Sequence, residues 1–289
     1  MNLLDYRKNI TSEHGEDGVI EKIFEVIGEE SRWCVELGAL DGRHGSNVWS
    51  LIKEKEWSAV LIEADQTYFE KLQKEYAGND KVVAVNAFVS FEGGTALDAL
   101  LAQTPIPKNF DFLSLDIDGN DYHLWDSMQK YVPRVVVVEF NPSIPNDVSF
   151  IQPRDMAVQQ GSSLRALVGL GRLKGYELIA TTETNAFFVL KELFPRFGII
   201  DNSLDALHTD HHYETKLFQL YDGTLVLAGN DELLWHRVKI DQRKLQVLSK
   251  WERIYPASIS TRPSIRRLKY LVRRLPFYHV IQKLRKILK

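Results

Sequence analysis

Acidic and amide side chains recur at short spacing along this chain. Glu36 is followed by Gly38, Ala39, Asp41 and Gly42; Glu63 by Ala64; Asn86 by Ala87; Asp116 by Asp118 and Asp121; and Glu139 by Asn141. Clustered carboxylates repel one another, so something must compensate: a divalent cation, a raised pKa or a basic partner. Hard oxygen donors suit Mg²⁺, Mn²⁺ or Ca²⁺, with Asp118, Glu139 and Asn141 as the candidate ligands. Without a metal, one of Asp116, Asp118 or Glu139 is placed to act as a general base. Asp118 also sits in Asp-Gly-Asn-Asp, which is ordinary turn chemistry, so a purely structural role stays open. His123, just beyond this cluster, is a further catalytic candidate. His208, His211 and His212 match no standard zinc spacing and read as loop histidines, with a substrate lid as the alternative. Cys34, the only cysteine, has no visible partner for nucleophilic chemistry and reads as core.

These residues need a scaffold that gathers them. A helix with apolar positions Val19, Ile20, Ile23, Phe24 and Ile27 comes first and ends near Gly28. Strands are then expected at 33–37, 58–63, 82–87, 110–116 and 134–140, with helices at 48–55, 68–76, 96–103 and 122–130 between them. A helix at 163–171 and a strand pair at 176–181 and 186–190 follow. The strands are continuous apolar runs, as in Val135-Val136-Val137-Val138, which is the pattern of strands buried on both faces. Alternating β and α elements of this kind predict a doubly wound α/β fold with ligands at the C-terminal strand ends. The acids above all fall at or just after the C-terminal ends of expected strands. Residues 194–222 are polar and irregular, so a loop or lid is expected there. The first turn, Gly-Ala-Leu-Asp-Gly, lacks the GxGxxG spacing of a dinucleotide site, and its acids would repel a pyrophosphate. A ligand with a cationic centre, an amino-acid head and a ribose fits better.

The segment VELGALDG, followed one strand later by LIEAD, resembles the first two motifs of class I S-adenosylmethionine-dependent methyltransferases. FDFLSLDIDGNDYHLW, then VVVVEFNP, resembles the FkbM-type subfamily, whose members often methylate sugar hydroxyls, as does Glu13-His14-Gly15-Glu16-Asp17-Gly18. The resemblance spans roughly residues 12–190. It implies a Rossmann-like, seven-stranded sheet of order 3-2-1-4-5-7-6 with strand 7 antiparallel. It further implies that Gly38 and Ala39 touch the methionine part of the cofactor and Glu63 the ribose hydroxyls, with Asn86 and Ala87 flanking the adenine. Glu36, Asp41, Gly42, Ala64 and Asp116 complete the expected cofactor set. Glu16, Asp17 and Gly18 are either cofactor contacts or simply acids favoured at a helix N-terminus. Many relatives carry D-x-E-G-x-E after strand four; here Asp116-x-Asp118-Gly119-x-Asp121 shortens the reach of two acids. The implied activity is O-methyl transfer to a sugar in polysaccharide, glycolipid or natural-product assembly. A metal, Mg or Mn, would hold vicinal hydroxyls and acidify one of them. A noncatalytic module of the same fold, or an RNA or protein acceptor, are the alternative readings.

Composition agrees with a soluble globular chain: of 289 residues, 44% are hydrophobic and 26% charged. The lone cysteine and the absence of a signal-like N-terminus point to the cytoplasm. The net charge of −3 conceals an asymmetry. Ten basic and no acidic residues fall between Arg262 and Lys289, leaving 26 of the 36 basic residues against all 39 acidic ones in residues 1–261. Division into a methyltransferase domain at 1–250 and a basic tail at 251–289 is expected. The tail places Ile265, Leu268, Val272 and Leu275, then Phe277, Val280, Ile281, Leu284, Ile287 and Leu288, on one helical stripe. Such a stripe opposite basic residues suits an anionic membrane surface; packing on the protein is the alternative, and nucleic acid, which offers nothing to bury the stripe, is the least suited partner.

Overall fold

The computed structural model describes residues 1–250, Arg253 and Phe277. The amphipathic tail lies outside the described residues. The described chain has two compact units, one of residues 1–214 with 233–238, the other of 215–232 with 239 onward.

In the first unit, α1 (Glu16–Ile27) precedes β1 (Trp33–Leu37), α2 (Trp49–Lys53), β2 (Ser58–Glu63), α3 (Gln66–Glu75), β3 (Val82–Asn86) and α4 (Leu97–Leu101). β4 (Phe112–Leu115), α5 (Asp121–Ser127), β5 (Val135–Glu139), α6 (Leu164–Leu173), β6 (Tyr176–Thr181), β7 (Asn185–Leu190) and α7 (Leu204–Leu207) follow. The seven strands form one sheet of order β3-β2-β1-β4-β5-β7-β6, the order the resemblance implies. β1 to β5 are parallel, and β7 runs antiparallel to both β5 and β6.

Continuous apolar strands are explained by the two cores, one on each face. Val136 and Val138 join Val35, Leu37, Leu113 and Leu115 in a core covered by α4, α5 and α6. Val135 and Val137 join Cys34, Ala59, Leu61 and Phe112 in a core covered by α1, α2 and α3. All four valines are fully buried, and each contributes roughly 1.5–3 kcal/mol relative to exposure. Cys34 is buried as expected, and burial pushes its thiol further from ionisation.

The second unit contains an antiparallel pair, β8 (Thr215–Gln219) and β9 (Leu225–Gly229). Residues 194–222 are therefore not irregular throughout, since β8 begins within them. Its side chains are mostly exposed, which is why Thr-Lys-Leu-Phe-Gln carries no clear strand signal. Two further short strands, β10 (Glu232–Leu233) and β11 (Val238–Lys239), flank a tip, Leu233–Val238, that belongs to the first unit. Among the described residues no helix is long and apolar enough to cross a membrane.

Candidate functional site

A cavity of about 900 Å³ opens at the C-terminal ends of β1, β2, β4 and β5. That is the top of the range for small-molecule sites, which run to roughly 1,000 Å³. Its floor depends on one glycine. Gly38 has φ +72°, and a Cβ there would stand 2.1 Å from the carbonyl oxygen of Asp116. Only glycine lets the β1 turn pass so close to the end of β4.

Among the described residues, eight acids line the cavity: Glu13, Glu16, Glu36, Glu63, Asp65, Asp116, Asp118 and Glu139. Those beside β1 and β2 are held by nearby donors. Glu36 accepts hydrogen bonds from Ser46 Oγ and from the Asn47 N–H, each at 2.7 Å. Burial outweighs these donors and pushes the Glu36 pKa up to about 7. Glu63 accepts from the Leu40 N–H at 2.8 Å and from the Asp65 N–H at 2.7 Å, one bond to each oxygen. A carboxylate offers about four lone-pair sites, so acceptor capacity toward the cavity remains. Glu16 accepts from Thr182 Oγ1 at 2.6 Å and the His14 N–H at 2.7 Å.

The β4 and β5 ends differ. Carboxylate oxygens of Asp116, Asp118 and Glu139 lie within 4.8 Å of one another. Burial first, then Asp121 and Asp118, drives the Asp116 carboxyl well above the usual carboxylate range. Glu139 is driven the same way by burial and then by Asp116, while the nearby Trp235 indole favours its charged form. Asp118 has φ +58°, a left-handed conformation rarely adopted by non-glycine residues. Among the described residues, buried Glu139 Oε2, Asn185 Oδ1 and Asn120 Oδ1 have no hydrogen-bond partner, and all three residues line the cavity. Asn185 is paired with Glu139 across the β5–β7 ladder, so two of these oxygens come from adjacent strands. All three are acceptors. The cavity asks for a ligand rich in donors or positive charge.

No protein-family model matches the chain, and no curated protein matches it. Among solved structures it is similar to the N-terminal domain of EvdMO1 with SAH bound, at 15% identity and TM-score 0.40, covering 60% of this chain and 79% of that one. It is also similar to an S-adenosylmethionine-dependent methyltransferase from Clostridium acetobutylicum ATCC 824, at 9% identity and TM-score 0.39, covering 61% and 90%. Monomeric WbdD is similar at 17% identity and TM-score 0.35, covering 55% and 36%. What this cavity holds is a matter for its own residues.

Of the expected cofactor residues, Glu16, Glu36, Gly38, Glu63, Ala64, Ala87 and Asp116 line the cavity. Ala39, Asp41, Gly42, Asn86, Asp17 and Gly18 do not. Asp41 spends Oδ1 on the N–H groups of Arg43 and His44, at 3.0 and 2.9 Å. A Cβ on Gly42 would meet Leu72 and Tyr76, so that glycine serves packing. Ala39 donates its N–H to the Ile62 carbonyl and is buried in the core beside α3. Asn86 donates to the Glu63 carbonyl at 2.9 Å and shapes the β2 loop from outside. Asp17 accepts from the N–H groups of Ile10, Thr11 and Ser12 and from the Ser12 and Ser50 hydroxyls. Gly18 packs under this N-terminal segment, where a Cβ would stand 2.0 Å from the Tyr6 carbonyl.

Among the expected catalytic residues, Asp116, Asp118 and Glu139 converge and Asn141 and His123 do not. Asn141 Oδ1 accepts from Ser143, and its Nδ2 donates to the Gln160 carbonyl. Asp116 takes its place in the acid cluster. His123 Nε2 lies 2.8 Å from the Gln152 carbonyl, and the ring packs edge-on against Phe91. Asp121 is turned back on its own loop, accepting the N–H groups of Ile117 and Gly119, and burial raises its pKa to about 6. His208 is not a solvated loop residue: it is buried against Phe140, with Nδ1 2.8 Å from Asn146 Oδ1. His211 and His212 pair with Glu214 and Asp210. The sequence reading missed Asn120, Thr184, Asn185, Tyr213, Trp235 and Arg237 among the lining residues. The Thr182–Asn185 link between strands was the one available signal, because a tight link after β6 returns the chain to the same sheet edge.

Proposed function

We propose that this chain is an S-adenosylmethionine-dependent O-methyltransferase acting on a sugar hydroxyl. The observation that carries the reading is the polarity of the cavity, acid-lined and with three orphaned buried acceptors. A phosphate-bearing nucleotide would be repelled there, whereas a sulfonium, an ammonium and a ribose diol each present what the walls lack. Glu63 would accept from ribose hydroxyls, and Ala64, Ala87 and Phe88, which line the same cavity, would offer apolar surface to the adenine. Glu16, Glu36 and the Gly38 turn are the residues for the amino-acid end. When bound, the cofactor supplies a methyl group on positively charged sulfur.

The chain's own work is on the acceptor. A carboxylate at the β4 or β5 end takes the hydroxyl proton as the oxygen acquires the methyl, and the raised proton affinity of Glu139 suits that task. A second reading is favoured by the spacing of Asp116, Asp118 and Glu139 and by the unpartnered Glu139 Oε2. A divalent cation there would relieve the repulsion and acidify a bound hydroxyl.

Calorimetry with S-adenosylhomocysteine, NAD and ATP tests the cofactor reading. Binding of the first alone is expected; binding of NAD or ATP in preference would overturn it. A rise in melting temperature on adding Mg²⁺ or Mn²⁺ after chelation, lost in Asp118→Asn, is expected if the metal reading holds. Methyl transfer that ignores both chelator and metal leaves the general base.

A further inference from the structure

The sheet-edge loops do not complete the cavity by themselves. The tip Leu233–Val238 adds Leu234, Trp235 and Arg237 to its lining, from a part of the chain remote in sequence from the sheet. The tip is a tight turn: the N–H groups of His236 and Arg237 both donate to the Leu233 carbonyl, at 3.1 and 2.7 Å. Arg237 takes a left-handed φ of +52° to make it, a conformation that costs a non-glycine residue about 1–2 kcal/mol. Trp235 lies near Glu139 and so stands on the β4/β5 side. Arg237 is the only arginine or lysine among the described residues that lines the cavity. Among the described residues its guanidinium makes no ion pair, although acids surround the same space.

We infer that Trp235 and Arg237 determine acceptor specificity, and that the acceptor carries an anionic group beside its hydroxylated ring. An anion is repelled by the rest of the lining and finds one cation, at the tip. A guanidinium presents a planar fork that matches a carboxylate or a phosphate with two parallel hydrogen bonds. The indole offers a flat apolar wall to the ring's C–H face, next to the carboxylate placed to take its proton. A neutral sugar would satisfy Trp235 and Glu139 but leave the guanidinium with nothing to hold. The inference rests on the methyltransferase reading only in giving the β4/β5 half to the acceptor.

The test titrates the full-length chain, with and without saturating S-adenosylhomocysteine, against methyl glucuronide, glucose 1-phosphate and the neutral methyl glucoside. At least one anionic sugar should bind about tenfold more tightly than the neutral one, and which one separates a carboxylate from a phosphate. Arg237→Gln should erase that preference and Arg237→Lys restore part of it. Trp235→Ala should weaken charged and neutral sugars by a similar factor. The inference is overturned if the intact chain shows no preference for either anion, or if Arg237→Gln keeps the preference. It is also overturned if Arg237→Gln chiefly loosens S-adenosylhomocysteine, since the arginine would then serve the cofactor's carboxylate. Failure of the intact chain to bind S-adenosylhomocysteine would instead remove the methyltransferase reading, while the sugar preference measured without it still decides the role of the tip.

Discussion

The two halves of the cavity are built from the same side-chain type and treat it in opposite ways. Beside β1 and β2, Glu36 and Glu63 each receive two donors at 2.7–2.8 Å, so their carboxyls are fixed in place. Beside β4 and β5, carboxylate oxygens of Asp116, Asp118 and Glu139 crowd within 4.8 Å of one another, and Glu139 Oε2 is buried without a partner among the described residues. Satisfied acids make a rigid frame for a ligand that the chain must hold in one pose. Burial and crowding raise the proton affinity of Asp116 and Glu139, which is what the proposed chemistry on a hydroxyl needs. On the proposed reading, the difference separates holding from reacting within a single sheet edge.

The largest expected effect removes the boundary between the halves. Gly38→Ala puts a methyl group into the Asp116 carbonyl oxygen and an L-residue at φ +72°, so a loss of about 3 kcal/mol or more is expected. Thermal unfolding should show it, with S-adenosylhomocysteine affinity falling together with stability. A variant as stable as the parent would mean the two loops can move apart, and the halves would not be a single rigid edge.

A paired substitution sharpens the contrast. Glu139→Gln replaces a buried acid that has too few partners and ionises only at a cost, so stability at pH 8 should rise by about 1 kcal/mol. Turnover should fall by about 10²–10⁴ while the cofactor still binds. Glu63→Gln turns one acceptor into a donor facing a backbone N–H, so it should lose about 1–3 kcal/mol of stability and weaken S-adenosylhomocysteine as well. Urea unfolding and calorimetry on both variants decide the matter. The opposite pattern, Glu139→Gln destabilised and Glu63→Gln neutral, would reverse the assignment.

Glu36 belongs to the satisfied half, yet burial raises its pKa from 4.5 to about 7. The folded chain therefore holds a proton that the unfolded chain releases between those values. This contribution is full below about pH 4.5 and is lost as pH rises through about 7, amounting to about 3 kcal/mol by linkage. In Glu36→Gln the fall of unfolding free energy across that window should be shallower than in the parent. Identical slopes would show that other groups, not Glu36, carry the proton.

Much of this architecture is visible before any coordinates. Strands at 33–37, 58–63 and 176–181 coincide with the observed ones to the residue, while the most buried pair, expected at 110–116 and 134–140, is shorter at both ends, at 112–115 and 135–139. β8 is invisible because an exposed ribbon of mixed side chains carries neither period. The site is legible by residue type but not by direction. Asp17 and Asp41 have the composition of ligands, and only the fold reveals that backbone N–H groups and nearby hydroxyls occupy Asp17, and that two N–H groups occupy Asp41 Oδ1. Trp235 and Arg237 are silent in sequence, because nothing in a short loop between weak strands announces which cavity its tip will reach.

Asp41 offers the smallest effect and the finest test of the comparison, because it shares with Glu63 a pair of backbone donors but not a place in the cavity. Both accept two backbone N–H groups, but Glu63 lines the cavity and Asp41 does not. Partial burial pushes the Asp41 carboxyl up, and the N–H groups of His44 and Arg43 more than reverse this, leaving its pKa below the usual value. The negative charge is thus held by the turn itself. Asp41→Ala should cost about 1 kcal/mol, the worth of hydrogen bonds of this kind, and Asp41→Asn should recover most of it by keeping one acceptor oxygen. Affinity for S-adenosylhomocysteine should stay within about twofold in both, since a change of 0.4 kcal/mol or so is all that a slightly looser turn transmits. A roughly tenfold loss in Asp41→Ala that Asp41→Asn fails to repair would mean the charge reaches the ligand. The frame and the cavity would then no longer be separable on the β1 side, and the sequence reading of this acid would be restored.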